Sequence, residues 1–214
     1  MPITTWSNVQ VAIQSLAGSP VTVTAISKAS PGVASYTGTD PANGNYVRLA
    51  AQGMSQVDGR VFRVASVNTG SDTFQLEGEN TTSYGTFASG SFELITFGTT
   101  MSTARGLSAS GGDFSFIETT TIHDNVAKQV PGVASAASYT FESIWDASDA
   151  GLLALKAASD AQSQRAIRFT FANGQIVVFN GYIGATLLPV GNAQDLVTTQ
   201  VVVTMFGRPT IYAA

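Results

Sequence analysis

The sequence predicts a mainly β protein with one packed helix, and three observations carry that prediction. Strand signals dominate the chain, and from Lys28 to Ile95 short β-rich runs recur roughly every ten residues, punctuated by Gly, Asn and Asp. Charged residues are only 11% of the 214, against roughly 25% in ordinary soluble domains. Ser, Thr, Asn, Gln and 21 Gly take their place. A single stretch, from Ser148 to about Gln162, combines helical spacing with good helix formers. Hydrophobic residues, at 44%, suffice to fill a core.

Taken in order, Val9, Val11 and Ile13 alternate with Gln10, Ala12 and Gln14, and Val21–Ile26 is a second β-rich run. The two predict an opening hairpin across Ala17-Gly18-Ser19-Pro20. From Lys28 to Ile95 the strands are shorter. Tyr46–Leu49 is one, and Val61–Ala65 is another, entered through the hairpin signal Asp58-Gly59. Thr73–Glu77 turns Phe74 and Leu76 inward, and Phe92 and Leu94 repeat the pattern, so this stretch predicts a small β unit of its own.

Gly98–Gly112, rich in Ser, Thr and Gly, predicts a loop. Asp113–Thr119 predicts a strand with Phe114 and Phe116 on one face, and Thr120–Gly132 a long loop ending in a Pro131-Gly132 turn. Ser138–Trp145 is a strand with Tyr139, Phe141 and Trp145 in register. In the helix, Ser148 can cap, Asp149 suits the N-terminal dipole, and Leu152, Leu155 and Ala158 make an apolar face beside Leu153. Ile167, Phe169 and Phe171 alternate before Asn173-Gly174, the clearest hairpin signal in the chain, leads into Gln175–Phe179. The last strand, Val197–Met205, sets Val197, Val201, Val203 and Met205 against Thr198, Gln200, Val202 and Thr204. Pro-Gly-Val-Ala-Ser occurs at Pro31 and again at Pro131, but the flanks differ, and no solenoid period is present.

Several chemistries are excluded or unsupported. Ten Lys and Arg against fourteen Asp and Glu give a net charge of −4 and a pI near 4.8, the wrong balance for holding phosphates. With no cysteine, disulfides, thiolate metal sites and cysteine nucleophiles are out. One histidine, His123, rules out a His-rich metal site within the chain, and no cofactor is expected. The N-terminus lacks the basic and apolar regions of a secretory signal. No apolar stretch approaches the ~20 residues that span a bilayer, so a protein made without export and without a membrane partner is expected.

His123-Asp124 amounts to two thirds of a hydrolase triad, but Gly106-Leu107-Ser108-Ala109-Ser110-Gly111 lacks the Gly-x-Ser-x-Gly spacing. A solvated loop pair is the plainer reading. Glu118 and Glu142 lie on predicted strands and could flank a cleft as glycosidase carboxylates do, or simply face solvent or a neighbouring subunit. Asn80-Thr81-Thr82 matches a glycosylation acceptor, with no secretion signal to support it. Asp40–Gly44 has too few acids for a calcium loop. No catalytic residue is assigned.

The order of segments carries a resemblance. Gly111-Gly112-Asp113-Phe114, Thr121-Ile122-His123-Asp124-Asn125, Gln129-Val130-Pro131-Gly132, Tyr139-Thr140-Phe141, Trp145-Asp146 and Thr204-Met205-Phe206-Gly207-Arg208-Pro209 together resemble the tail tube proteins (major tail proteins) of long, non-contractile bacteriophage tails. The likeness covers 1–26 and 97–214. The middle, through Tyr36-Thr37-Gly38, Asp58–Phe62 and Thr73–Leu76, is similar to a small β domain inserted in phage tail proteins. That domain in turn resembles the first catalytic-cysteine half-domain of ubiquitin-activating enzymes, and without cysteine no thioester chemistry comes with it.

The resemblance implies a β-sandwich or half-barrel core with one packed helix, discontinuous over 1–26 and 97–214, and an inserted small β-barrel-like domain over 27–96. It implies a structural virion protein, not an enzyme, assembled in the host bacterial cytoplasm. Six copies would form a ring, and stacked rings a tail tube through which viral DNA passes without specific binding. Tape measure, tail tip and terminator proteins would be the other partners. A different tail or decoration protein, or a carbohydrate-binding or adhesin module, remains the alternative. The inserted domain is expected to face outward and be dispensable for the wall. Ile122, His123, Asp124, Asn125, Lys128, Pro131 and Gly132 form the candidate subunit-contact loop, expected to order only against a neighbour. Val197, Thr198, Gln200, Val201 and Thr204 form the candidate inter-subunit strand, with Arg168, Thr170, Thr198, Gln200 and Thr204 on the faces turned from the core.

Overall fold

In a computed structural model of the chain, residues 6–214 are described. Strands β1 (Gln10–Ala17) and β2 (Val21–Ile26) do not form the expected hairpin. Both lie instead along the thirteen-residue strand β7 (Ser89–Met101), β1 on its second half and β2 on its first. A strand that long offers two shorter ones successive places on one edge, so the chain steps along it rather than folding back.

Between β2 and β7 come β3 (Val33–Thr37), β4 (Tyr46–Gln52), β5 (Val61–Asn68) and β6 (Thr73–Leu76). Pairing runs β2-β3-β6-β5-β4-β7 and returns from β7 to β2, which closes a six-stranded antiparallel barrel. Its interior is filled by Val47, Leu49, Phe62, Phe74, Leu76 and Phe92, with Phe74 and Leu76 inward as their alternation requires. Asp58-Gly59 is not a two-residue hairpin. Residues 53–60 form a longer loop, held by Ala51 N donating to Asp58 Oδ1 at 2.9 Å and Gly59 N to Leu49 O at 2.8 Å. By pairing, the barrel begins at Val21 rather than Ser27, and β7 belongs to both halves of the molecule.

From β7 an open antiparallel sheet continues through β1, β12 (Gln164–Thr170), β13 (Ile176–Ala185), β14 (Thr198–Met205), β11 (Ser138–Ile144) and β8 (Ala104–Ser110). The short strand β15 (Thr210–Tyr212) pairs with β13. The β12–β13 hairpin turns at Asn173-Gly174 as expected. Phe141 on β11 meets Phe169 on β12, three strands away, with ring centroids 5.8 Å apart. The sheet therefore curls into a half-barrel around Ile13, Phe169, Phe179, Val201 and Val203.

Helix α1 (Ala150–Asp160) covers that core with Leu152, Leu155 and Ala158, while Leu153 stays exposed. Its cap is Asp149, whose Oδ1 accepts from Leu152 N at 2.8 Å, not Ser148. Ser148 bonds Asp146 instead. The carboxylate of Asp149 also receives Ser102 Oγ at 2.9 Å, which ties the helix start to the end of β7.

Two expected loops are strands. Gly98–Gly112 holds the end of β7 and all of β8, where small residues give no hydrophobic alternation but a ladder to β11 pairs their backbone. Within Thr120–Gly132, Pro131 and Gly132 are not a turn but part of strand β10 (Gln129–Ala134), which pairs with β9 (Phe114–Glu118). A two-stranded ribbon has free outer edges, where proline is tolerated.

Candidate functional site

The β9–β10 ribbon is inserted into the hairpin formed by β8 and β11. Pairing of those two strands ends at Ser110 and Ser138. Gly111 and Gly112 then turn the chain away, with φ of +79° and +87°, values that a side chain strongly disfavours. Gly111 also lies against the backbone of Ala136, where a Cβ has no room.

Seven large apolar side chains on the ribbon are exposed, among them Phe116 at 65%, Ile117 at 57% and Ile122 at 96%. They lie on both faces. Phe116 stands opposite Pro131 on one and Ile117 opposite Val130 on the other. Among the described residues neither strand pairs with a third, and the ribbon is a sheet of its own. An isolated two-stranded hairpin is marginal in water, and exposed apolar surface of this extent marks an interaction site.

At the tip, the candidate contact residues sit in an organised turn. Asp124 Oδ2 accepts from Thr121 N at 2.9 Å and from Thr121 Oγ1 at 3.0 Å, and its other oxygen takes the Lys128 ammonium. Lys128 and Thr121 hold the Asp124 carboxyl below its ordinary value. Lys128 N in turn donates to Thr120 Oγ1 at 2.9 Å. Asp124 is thus directed at Thr121 and Lys128 rather than at His123. Ile122, His123 and Asn125 share this tip, whereas Pro131 and Gly132 lie back along β10. Glu118 is paired with Gln129 in the ribbon, and Glu142 with Gln200 in the main sheet, so the two carboxylates do not flank a cleft.

The candidate inter-subunit strand needs a correction. β14 is interior: its backbone pairs with β11 on one side and β13 on the other, which leaves no edge for a neighbour. Val201 is fully buried in the core, Thr198, Gln200 and Thr204 project from the opposite face, and Val197 precedes the strand. Arg168 does not project freely either, because its guanidinium stacks 4.9 Å from the Phe97 ring centroid. The open edge is β8, which among the described residues pairs only with β11. Its residues, Ala-Arg-Gly-Leu-Ser-Ala-Ser, include neither Lys nor Pro. Sequence reading missed it because a strand of small residues carries almost no periodic signal; its one apolar cue is Leu107.

Open edge and ribbon therefore occupy one border of the molecule. Beside them, the face of β11 and β14 turned from the core carries Thr140, Glu142, Thr198, Gln200, Val202 and Thr204, with no cation. Among the described residues no cluster of three or more His, Asp or Glu side chains could hold a metal ion, and no helix is long and apolar enough to cross a membrane.

Residues 52–214 match the family described as phage tail tube protein, TTP. The chain belongs to that family. The matched range begins at the end of β4 and takes in β5–β15 and the helix. No curated protein matches the chain. Phage tail tube proteins are structural, and membership of the family makes this chain a component of the virion tail.

Proposed function

We propose that this tail tube protein self-assembles into hexameric rings that stack into the tube through which viral DNA passes. The observation that carries the reading is the ribbon, which exposes large apolar side chains on both faces and, among the described residues, has no third strand to cover them. A neighbouring copy covers them, and the Thr121–Lys128 tip gains its lasting order in that contact. The open β8 edge pairs with a neighbour's backbone, which continues the curled sheet from one subunit to the next.

The cation-free face of β11 and β14 lines the channel, because basic side chains there would hold phosphates and stall the DNA. Assembly takes place in the host cytoplasm, and tape measure, tip and terminator proteins meet the tube at its ends. The family favours this reading over a carbohydrate-binding module.

Negative-stain microscopy of the purified, concentrated chain tests it. Regular tubes are expected from the full chain, and none from a variant with residues 113–135 replaced by a short Gly-Ser bridge. That variant keeps its secondary structure, since the ribbon supports nothing else. A full chain that closes only single rings is instead a terminator-type component, and a ribbonless chain that still builds tubes overturns the role given to the ribbon.

A further inference from the structure

We infer that the C-terminal segment Phe206–Tyr212 is a strap that fixes the small barrel in one orientation against the curled sheet, and that Arg60 is its positioning residue. The inference is independent of how the tube assembles. The barrel and sheet are already joined by β7, which runs through both, so a connection exists without the strap. A second, non-covalent connection is built at the seam.

Arg60, only 6% exposed, lies in the loop that closes the barrel between β4 and β5. Its Nε donates to Arg208 O at 3.1 Å, across 148 residues of sequence. Nη1 donates to Gln56 O at 3.1 Å and to Glu79 Oε1 at 2.5 Å. Nη2 donates to Glu79 Oε2 at 3.1 Å, with Thr210 Oγ1 at 3.5 Å. The guanidinium is thus bound on one side by the barrel and on the other by the strap. A buried charge is tolerated only when its donors are met in a fixed geometry, so the group enforces a relative position rather than adding net stability.

The strap reciprocates along its length. Thr210 Oγ1 donates to Val61 O at 2.8 Å, and the Tyr212 hydroxyl accepts from Arg63 N at 2.5 Å. The Arg63 guanidinium stacks 4.5 Å over the Tyr212 ring. At the near end, Gly59 lies so close to the Phe206 ring that a Cβ there has no room. From the sheet side, Asn180 Nδ2 donates to Gly59 O at 3.1 Å. Under these bonds Tyr46, Val61 and Ile95 of the barrel share a buried cluster with Ala166, Val178 and Tyr212.

Residual dipolar couplings on the isotope-labelled full chain, kept below tube-forming concentration, read the orientation directly. For the unaltered chain, amides of the barrel and of the sheet fit one alignment tensor. In Arg60→Met, which keeps the length and apolar stem but removes the donors, two tensors are required and the barrel's falls at least two-fold. The double variant Thr210→Val, Tyr212→Phe gives the same separation and serves if Arg60→Met does not fold. An unaltered chain that already needs two tensors overturns the inference. So does a single tensor in the folded variants, because β7 and the shared cluster then suffice. If neither variant folds, the strap is a folding element and the positioning role is refuted.

Discussion

Strand β6 of the barrel and strand β9 of the ribbon carry the same alternation, Phe74 and Leu76 in one, Phe114 and Phe116 in the other. In the barrel both side chains are fully buried, while in the ribbon both phenylalanines are exposed. The difference lies in closure. Six strands return upon themselves, and the inward face of each becomes core while every backbone edge finds a partner. Two strands have no third layer to face and keep both outer edges free. Local pattern therefore selects a strand, but the number and closure of its neighbours decide whether its apolar face is buried in the core or left exposed.

The largest expected effect is in the barrel. Phe74→Ala should cost about 3–5 kcal/mol, the range for emptying a fully packed aromatic site, read as a lowered midpoint in urea unfolding of the unassembled chain. A cost under about 1 kcal/mol would mean that the barrel interior is loosely packed and the contrast with the ribbon is false.

Alkaline pH should reach the barrel next. Burial, with Asp40 accepting the hydroxyl proton at 2.8 Å, pushes the Tyr36 phenol up to about 12. Burial also raises Tyr84, beside Glu79, and Tyr212 in the seam. For a raised value the stabilisation is complete below the ordinary tyrosine value of about 10 and is lost as pH climbs beyond it. Unfolding by circular dichroism should begin above pH ~10 and follow tyrosinate absorbance, with Tyr36→Phe moving the onset upward. Unfolding that starts in the neutral range breaks the comparison.

A smaller effect belongs to the hinge between the two kinds of sheet. Gly111→Ala forces a side chain into positive φ and against Ala136, at about 1–2 kcal/mol. It should re-aim the ribbon and reduce tube formation while leaving the barrel's amide exchange unchanged. Loss of barrel protection would show that the ribbon is coupled to it.

The smallest effect on the monomer should come from the ribbon itself. Phe116→Ser with Ile117→Ser should shift unfolding of the unassembled chain by no more than about 0.5 kcal/mol, as for other exposed sites. A larger loss would mean that the ribbon packs on its own chain.

Excision of 27–96 bears on the same contrast. It removes every strand partner of β2, both β3 and residues 90–92 of β7, and opens the cluster that Tyr46, Val61 and Ile95 share with Tyr212. The strap makes the barrel a braced part of the subunit, and a cut at those boundaries should expose the seam.

The sequence by itself determined the mainly β class, helix α1 with Leu152, Leu155 and Ala158 inward, the Asn173-Gly174 hairpin and the inward faces of β6 and β14. These follow from period and turn chemistry within a few residues. The tail tube resemblance was also legible there, in the order of segments, and the family match agrees with it. Only the tertiary structure decided that β1 and β2 lie along β7 instead of pairing, that β14 is interior and β8 the edge, and that Pro131-Gly132 continues a strand. It also decided that Arg60 reaches Arg208 and Thr210 across the seam. The physical reason is common to all four. Backbone pairing and the burial of a charge depend on which segments meet, and those meetings join residues up to about 150 apart, beyond the reach of any local pattern.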